Sequence, residues 1–259
     1  MRDVNILIEN GVDVNGSLEV LGDMETYDET VIDFLNEIDS KLNNLKESKG
    51  NNDLANFAIY AHSIKSDARY LGFTKLAEVA YEEELAGKEN NLSRADASYE
   101  EMLNQVNLMV STLKRYIGNT TIQDVKEEVT INPNSKTILV VDDSDIIRNF
   151  ISKIFNNTYN VVVAHDGREA IDILNTTTFD SLACILLDLN MPNVNGFEVL
   201  DYLDVNNLYN IIPVSIITGD DSKDTVERAF TYPIVDVLQK PFNENNVKDI
   251  VDKMVSLKR

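Results

Sequence analysis

Two kinds of hydrophobic pattern divide this chain. Apolar side chains recur at three- and four-residue steps through Tyr27, Val31, Phe34, Leu35, Ile38, Leu42 and Leu45, the buried stripe of one long helix. Lys49-Gly50-Asn51-Asn52 breaks that stripe, and Asp53 is placed to cap a second helix. The second stripe is Leu54, Phe57, Ala58, Ala61, Ile64, Ala68 and Leu71, with Gly72 where a left-handed C-terminal cap belongs. A third helix, capped by Thr74, carries Leu76, Val79 and Ala80 and stops near Gly87. A fourth uses Tyr99, Met102, Leu103, Val106, Met109, Val110 and Leu113. Four amphipathic helices with short connections predict an antiparallel four-helix bundle over residues 1–117, one end covered by a short helix around Gly16–Leu21. Glu83 falls where the third stripe calls for an apolar side chain, which places it at a frayed end or on a slightly rotated helix.

Residues 118–136 are polar, hold Pro133 and lack an apolar period, so they read as a linker. Beyond them, short apolar runs alternate with helical stretches: Thr137–Val141, Val161–Ala164, Leu182–Leu187, Val214–Ile217 and Ile234–Leu238. Nearly continuous apolar strands imply burial on both faces, hence a parallel sheet wrapped by helices. Residues 137–259 are therefore predicted to form a doubly wound, five-stranded parallel sheet, with any ligand site beyond the carboxyl ends of its strands.

Composition narrows what such a protein does. The 259 residues carry 23 Lys+Arg against 44 Asp+Glu, a formal charge of −21 shared by both halves. That balance disfavours nucleic acid and anionic lipid as partners, because phosphate binding needs clustered cations. A single cysteine, Cys184, excludes an internal disulfide framework and suits a reducing cytoplasm. No apolar run approaches the ~20 residues of a membrane span. Two histidines, His62 and His165, make a histidine-built zinc site improbable, and His165 reads as an exposed loop residue.

Chemistry collects at the strand ends. Asp142 and Asp143 end the first strand, Asp188 the third and Thr218 the fourth, and Lys240 follows the fifth. Three carboxylates in one crevice repel each other unless a hard divalent cation such as Mg²⁺ sits among them. A lysine opposite supplies fixed positive charge and a threonine hydroxyl a donor, which together suit in-line phosphoryl transfer to a carboxylate. The stretches Ile138-Leu-Val-Val-Asp-Asp-Ser, Leu186-Leu-Asp-Leu-Asn-Met-Pro-Asn-Val-Asn-Gly, Ile217-Thr-Gly and Gln239-Lys-Pro-Phe resemble the receiver domain of two-component response regulators, a flavodoxin-like fold. The resemblance implies that Asp188 is the phosphoacceptor and that Asp142, Asp143 and Asp188, with the Asn190 backbone carbonyl, bind Mg²⁺. It further implies that Thr218 and Lys240 contact the phosphoryl group and that Lys240-Pro241 is a cis bond. Val237 departs from the family, standing three residues before the lysine where receivers commonly carry an aromatic. Asn195, where an acidic residue is frequent, reads as a helix N-cap, and Asp220 either caps a helix or influences attack of water on an acyl phosphate.

His62 lies mid-helix in the first half, with Lys65, Ser66 and Arg69 at i+3, i+4 and i+7, one face running beside the buried stripe. The run Ala61-His-Ser-Ile-Lys-Ser-Asp-Ala-Arg-Tyr-Leu-Gly resembles the histidine phosphotransfer (HPt) family, as do Gly11-Val-Asp13 and Leu21-Gly22. That resemblance implies a phosphoryl group carried on an imidazole nitrogen of His62 and stabilised by Lys65.

The function these features predict is a two-component phosphorelay protein, moving a phosphoryl group between His62 and Asp188 with output through protein–protein docking. No glycine-rich nucleotide site is present, so phosphate would arrive from a sensor histidine kinase, another receiver or HPt protein, or a small phosphodonor. A phosphohydrolase with Asp188 as nucleophile would want Asp-x-Asp where Asp188-Leu-Asn190 stands. A non-phosphorylated scaffold is the other class, favoured only by Val237. A flexible linker of about 18 residues spans roughly 20–25 Å, which permits transfer within one chain; exchange with separate partners, or in trans within a homodimer, is equally compatible.

Overall fold

The computed structural model describes residues 2–118, 135–177, 181–220 and 222–258. The chain divides into two compact units, Met1–Val125 and Lys126–Arg259. Residues 119–134, most of the expected linker, lie outside the described residues. No described helix is long and apolar enough to cross a membrane.

The first unit is helical: α1 (Asn5–Glu9), α2 (Val14–Leu21), α3 (Met24–Gly50), α4 (Leu54–Tyr70), α5 (Thr74–Lys88) and α6 (Leu92–Ile117). The last four form the bundle, with α4 packed on α3 and α5, and α6 closing against α3 and α5. Polar side chains start three of these helices by accepting an otherwise orphaned backbone amide: Asp23 from Thr26, Asp53 from Asn56 and Asn91 from Arg94. Thr74 does not cap α5. Phe73 takes the N-cap position without a side-chain bond and Thr74 is the first helical residue, because the chain turns sharply at Gly72. Gly72 has φ +78°, and a Cβ there would lie 2.5 Å from the Asp13 carbonyl oxygen, so only glycine seats the start of α2 on this turn. The helix α1 carries no sequence signal that marked it out.

Two polar residues sit deeper than the stripes anticipate. Leu42 is only half-buried. Its neighbour Lys41 turns inward instead, 2.6 Å from Asp67 Oδ2 and 2.7 Å from Glu37 Oε2. Glu83 is not at a frayed end: it is fully buried. Burial pushes its pKa up to about 7, while nearby Ser98 and Lys49 offset only part of that effect. Below the unfolded value near 4.5 both states are protonated and Glu83 costs nothing by ionising. As pH rises to about 7 the folded state holds a proton the unfolded chain has released, and stability falls by about 3 kcal/mol. Glu83→Leu is expected to stabilise the helical unit by about 1–3 kcal/mol at pH 8, with the gain shrinking towards pH 4.5. Urea denaturation of both proteins across that range checks it, and equal midpoints at pH 8 would refute it.

The second unit alternates β1 (Thr137–Val141), α7 (Asp145–Phe155), β2 (Asn160–Ala164), α8 (Gly167–Thr176), β3 (Leu182–Asp188), α9 (Gly196–Val205), β4 (Val214–Thr218), α10 (Lys223–Ala229), β5 (Val237–Gln239) and α11 (Glu244–Leu257). The five strands are all parallel in the order β2-β1-β3-β4-β5. The central strands β3 and β4 are buried throughout, Cys184 included, which is why they read as nearly continuous apolar runs, broken in β4 by buried Ser215. The edge strand β5 begins three residues later than predicted. Val235 and Asp236 already bond β4 through their backbones, but the regular ladder starts only at Val237. Asn195 caps α9 in a reciprocal capping box with Glu198.

Candidate functional site

The strand order reverses between β1 and β3, so their carboxyl ends flank one crevice. Asp142 follows β1 and Asp188 ends β3, both fully buried, while Asp143 is half-buried. Each of the three offers a carboxylate oxygen within 4.8 Å of the others. Gly196 makes this possible: a Cβ there would lie 2.1 Å from the Asp188 carbonyl oxygen, so glycine lets α9 start against the end of β3.

Lys240 answers the negative charge. Its Nζ lies 2.6 Å from Asp142 Oδ2 and 2.7 Å from Asp188 Oδ2. Burial alone would lower its pKa, but Asp142, Asp188 and Asp143 outweigh that and raise it, so the ammonium stays charged at neutral pH. The Lys240 amide donates to the Thr218 carbonyl at 2.8 Å, which ties the end of β5 to β4, and Lys240-Pro241 is cis. Thr218 is buried at the end of β4, its hydroxyl accepting from the Asp220 amide at 3.1 Å. The Asn190 amide donates to Asp188 Oδ1 at 3.2 Å. Asp142, Asp143, Asp188 and Lys240 thus converge on the crevice, and Thr218 is buried at the end of the neighbouring strand. Oxygen donors this close, carrying more negative charge than Lys240 alone balances, fit a hard divalent cation.

Sequence reading missed Arg148. It is buried on α7, where its guanidinium donates to the Asp142 carbonyl and pairs with Asp145, fixing the loop that presents Asp142 and Asp143. The cap of α10 is Ser222, not Asp220; the Asp220 carboxylate accepts from the Ser222 amide and the Thr225 hydroxyl beside it. His165 is exposed, bonded to Glu169. Val237 packs half-buried against the core of the second unit.

The first unit holds a second cluster. His62, Lys65 and Ser66 are all buried, at 2%, 1% and 4% exposure, whereas Arg69 is exposed. The face expected to run beside the buried stripe is itself buried through Ser66, with His62 and Lys65 turned to α5. Opposite it stands Glu84, also unforeseen, which accepts from His62 Nδ1 at 2.9 Å, Lys65 Nζ at 2.6 Å and Lys88 Nζ at 2.8 Å. Burial alone would push the Glu84 carboxyl up, but the His62 ring and Lys65 hold it well below the usual range. An ionised carboxylate only accepts, so His62 Nδ1 is the donor and carries the proton. In the neutral ring the lone pair then belongs to Nε2, which is buried and has no hydrogen-bond partner among the described residues. The Lys65 ammonium, 3.3 Å from His62 Nδ1, therefore serves Glu84 rather than the ring. Burial lowers its pKa, with Glu84 opposing the shift.

Comparison with known proteins bears on both clusters. Residues 138–252 match the model of the response regulator receiver domain, and residues 29–116 that of the Hpt domain. Among curated relatives, the CAI-1 autoinducer sensor kinase/phosphatase of Vibrio cholerae is 34% identical over 110 residues, 42% of this chain and 16% of the relative. The hybrid signal transduction histidine kinase D of Dictyostelium discoideum is 26% identical over 126 residues, 49% of this chain and 8% of the relative. The chain thus spans less than a fifth of the length of either. Among solved structures, the receiver domain of Francisella response regulator 1452 is 30% identical, covering 48% of this chain and 99% of its own at TM-score 0.43. The chemotaxis protein CheY4 of Vibrio cholerae is 27% identical, covering 46% of this chain and 98% of its own, also at TM-score 0.43.

Proposed function

We propose that this chain, which joins a segment matching the Hpt domain to one matching the response regulator receiver domain, is a two-component phosphorelay protein with His62 and Asp188 as its two phosphoryl carriers. The observation that carries the reading is the pairing of Asp188 with Lys240 inside a crevice of three carboxylates at the sheet's switch point.

In transfer from His62, an Asp188 carboxylate oxygen attacks phosphorus in line as the P–Nε2 bond breaks and its electron pair returns to the ring. The imidazole leaves neutral because Nδ1 already holds a proton, and no further proton moves. Glu84 holds that proton in place and stabilises the cationic ring of the phosphorylated form. Lys240 and the Thr218 hydroxyl lie on the acceptor side to meet the phosphoryl oxygens. Asp142, Asp143 and Asp188, with the Asn190 carbonyl, are the residues that would hold Mg²⁺, and the ion would neutralise phosphoryl charge there. The phosphate comes from a partner histidine kinase, another relay protein or a small phosphodonor, and the domain limits we assign are 1–117 and 137–259.

The test is incubation of the full chain with acetyl phosphate and Mg²⁺ over a dilution series, separating acid-labile phosphohistidine from base-labile aspartyl phosphate. Labelling of Asp188, followed by His62 at a rate independent of protein concentration, is expected of an internal relay. A rate proportional to concentration assigns exchange to separate molecules. Absence of label at both sites overturns the reading in favour of a non-phosphorylated scaffold.

A further inference from the structure

His62 Nε2 is the atom on which the proposed relay depends, and Ser66 follows it one turn later on α4. Ser66 is 4% exposed, and its hydroxyl has no hydrogen-bond partner among the described residues. Elsewhere in the unit, helical Ser17, Thr30 and Ser48 each return the hydroxyl to the backbone carbonyl four residues earlier, at 3.1, 2.7 and 2.9 Å. Ser66 does not. A buried hydroxyl left unbonded costs folding free energy, and so does the buried lone pair of Nε2.

Helix geometry puts the two orphaned groups on one side. At about 100° per residue, positions i+3 and i+4 fall on opposite sides of residue i, about 60° one way and 40° the other. Lys65, at i+3, bonds Glu84 of α5, and Ala58, at i−4, lies on that same side against Gly87 of α5. Ser66, at i+4, is therefore on the side of His62 turned away from α5. The imidazole divides likewise: Nδ1 donates to Glu84, so Nε2, across the ring, is directed away from α5. Side chains four apart have Cβ atoms about 5–6 Å from each other and lean toward the helix N-terminus, which inclines Ser66 over His62. Both cations of the cluster, Lys65 and Lys88, are engaged by Glu84 on the other side.

Resting on the reading of His62 as a phosphoryl carrier, we propose that the Ser66 hydroxyl binds the phosphoryl group, donating a hydrogen bond to one of its oxygens once phosphorus is bonded to Nε2. One group satisfies both orphans: its phosphorus takes the Nε2 lone pair and an anionic oxygen takes the hydroxyl hydrogen. A hydrogen bond to an ionised oxygen is about twice as strong as a neutral one. Removing the hydroxyl thus weakens the phosphorylated form and relieves the resting one.

The chain has two histidines, so in full-length His165→Gln the acid-labile label reports His62 alone. Phosphoramidate serves as donor: the Nε2 lone pair attacks phosphorus as the donor's P–N bond breaks, and neutral ammonia leaves. In that background Ser66→Ala is expected to slow acid-labile labelling about tenfold while raising the urea midpoint of the helical unit by roughly 0.5 M. Ser63→Ala is the matched control. Ser63 is 2% exposed with its hydroxyl likewise unpartnered among the described residues, but residues i and i+1 do not face each other, so this variant should label at the parent rate.

Labelling of Ser66→Ala within about twofold of the parent overturns the proposal. So does an equal loss in Ser63→Ala, which would trace the defect to repacking of α4. A midpoint below the parent's overturns it too, by showing that the hydroxyl already has a partner in the resting fold. If the parent itself takes no acid-labile label, the reading of His62 falls and the proposal with it, a result distinct from a defect confined to Ser66→Ala.

Discussion

Asp188→Asn should eliminate the base-labile, hydroxylamine-sensitive phosphate while leaving the receiver unit folded. Asparagine keeps the shape of the side chain and an oxygen to accept from the Asn190 amide, but it has no carboxylate to attack phosphorus. Removing a nucleophile outright typically costs more than about 1000-fold, which puts residual labelling below detection. Folding should survive because Lys240 retains Asp142, 2.6 Å away, and the core strands are untouched. Hydroxylamine-sensitive label persisting at a tenth of the parent level or more would move the acceptor to Asp142 or Asp143, and with it the whole geometry of transfer.

Lys240→Met has the largest effect expected on stability. The lysine is the cation bonded to both Asp142 and Asp188, and the two carboxylates are fully buried. Removing one partner of a buried ion pair leaves uncompensated charge in a low-dielectric interior, at a cost of about 3–5 kcal/mol. For a domain of this size that lowers the melting temperature by roughly 10–20 °C. Millimolar Mg²⁺ should recover part of the loss, because a cation held by the native carboxylates stabilises by mass action. Scanning calorimetry in EDTA and in Mg²⁺ reads both effects. A receiver transition unmoved in EDTA would show that the Lys240 pairings contribute nothing net, and equal shifts in both buffers would argue against a cation site.

The acidic crevice was legible because its physics is local. A strand buried on both faces must be apolar, so the first charged residue after the run marks where the chain leaves the sheet. Asp142 and Asp188 are found by that rule, Lys240 follows the partly buried edge strand β5, and a parallel sheet brings the strand ends together whatever the loops do. The helical cluster was harder. Periodicity shows that Leu76, Ala80 and Gly87 share a face, and Glu84 lies on the same line, four after Ala80 and three before Gly87. A carboxylate on that line was itself the signal that α4 must offer it positive charge, but Glu82, Glu83 and Glu84 in succession obscured that two of them, Glu83 and Glu84, turn inward and that only Glu84 meets α4 cations. His62 was expected beside the buried stripe. In fact α4 is closed in on almost every side from Ala61 to Ala68, because the Glu84 bonds let polar groups enter the interior. The Asp145–Arg148 spacing on α7 is visible in the sequence, but the bond from Arg148 to the Asp142 carbonyl is not, since a backbone partner leaves no trace there.

The buried carboxyl of Glu83 makes folding of the helical unit a chemical reaction with the solvent. With a folded pKa of about 7 against an ordinary value of 4.5, the native state at pH 7 holds about half a proton that the unfolded chain does not. Each molecule that unfolds releases that fraction, and whichever buffer is present takes it up. The heat measured on melting therefore includes half the buffer's protonation enthalpy. Two buffers at one pH report different unfolding enthalpies for the same conformational change.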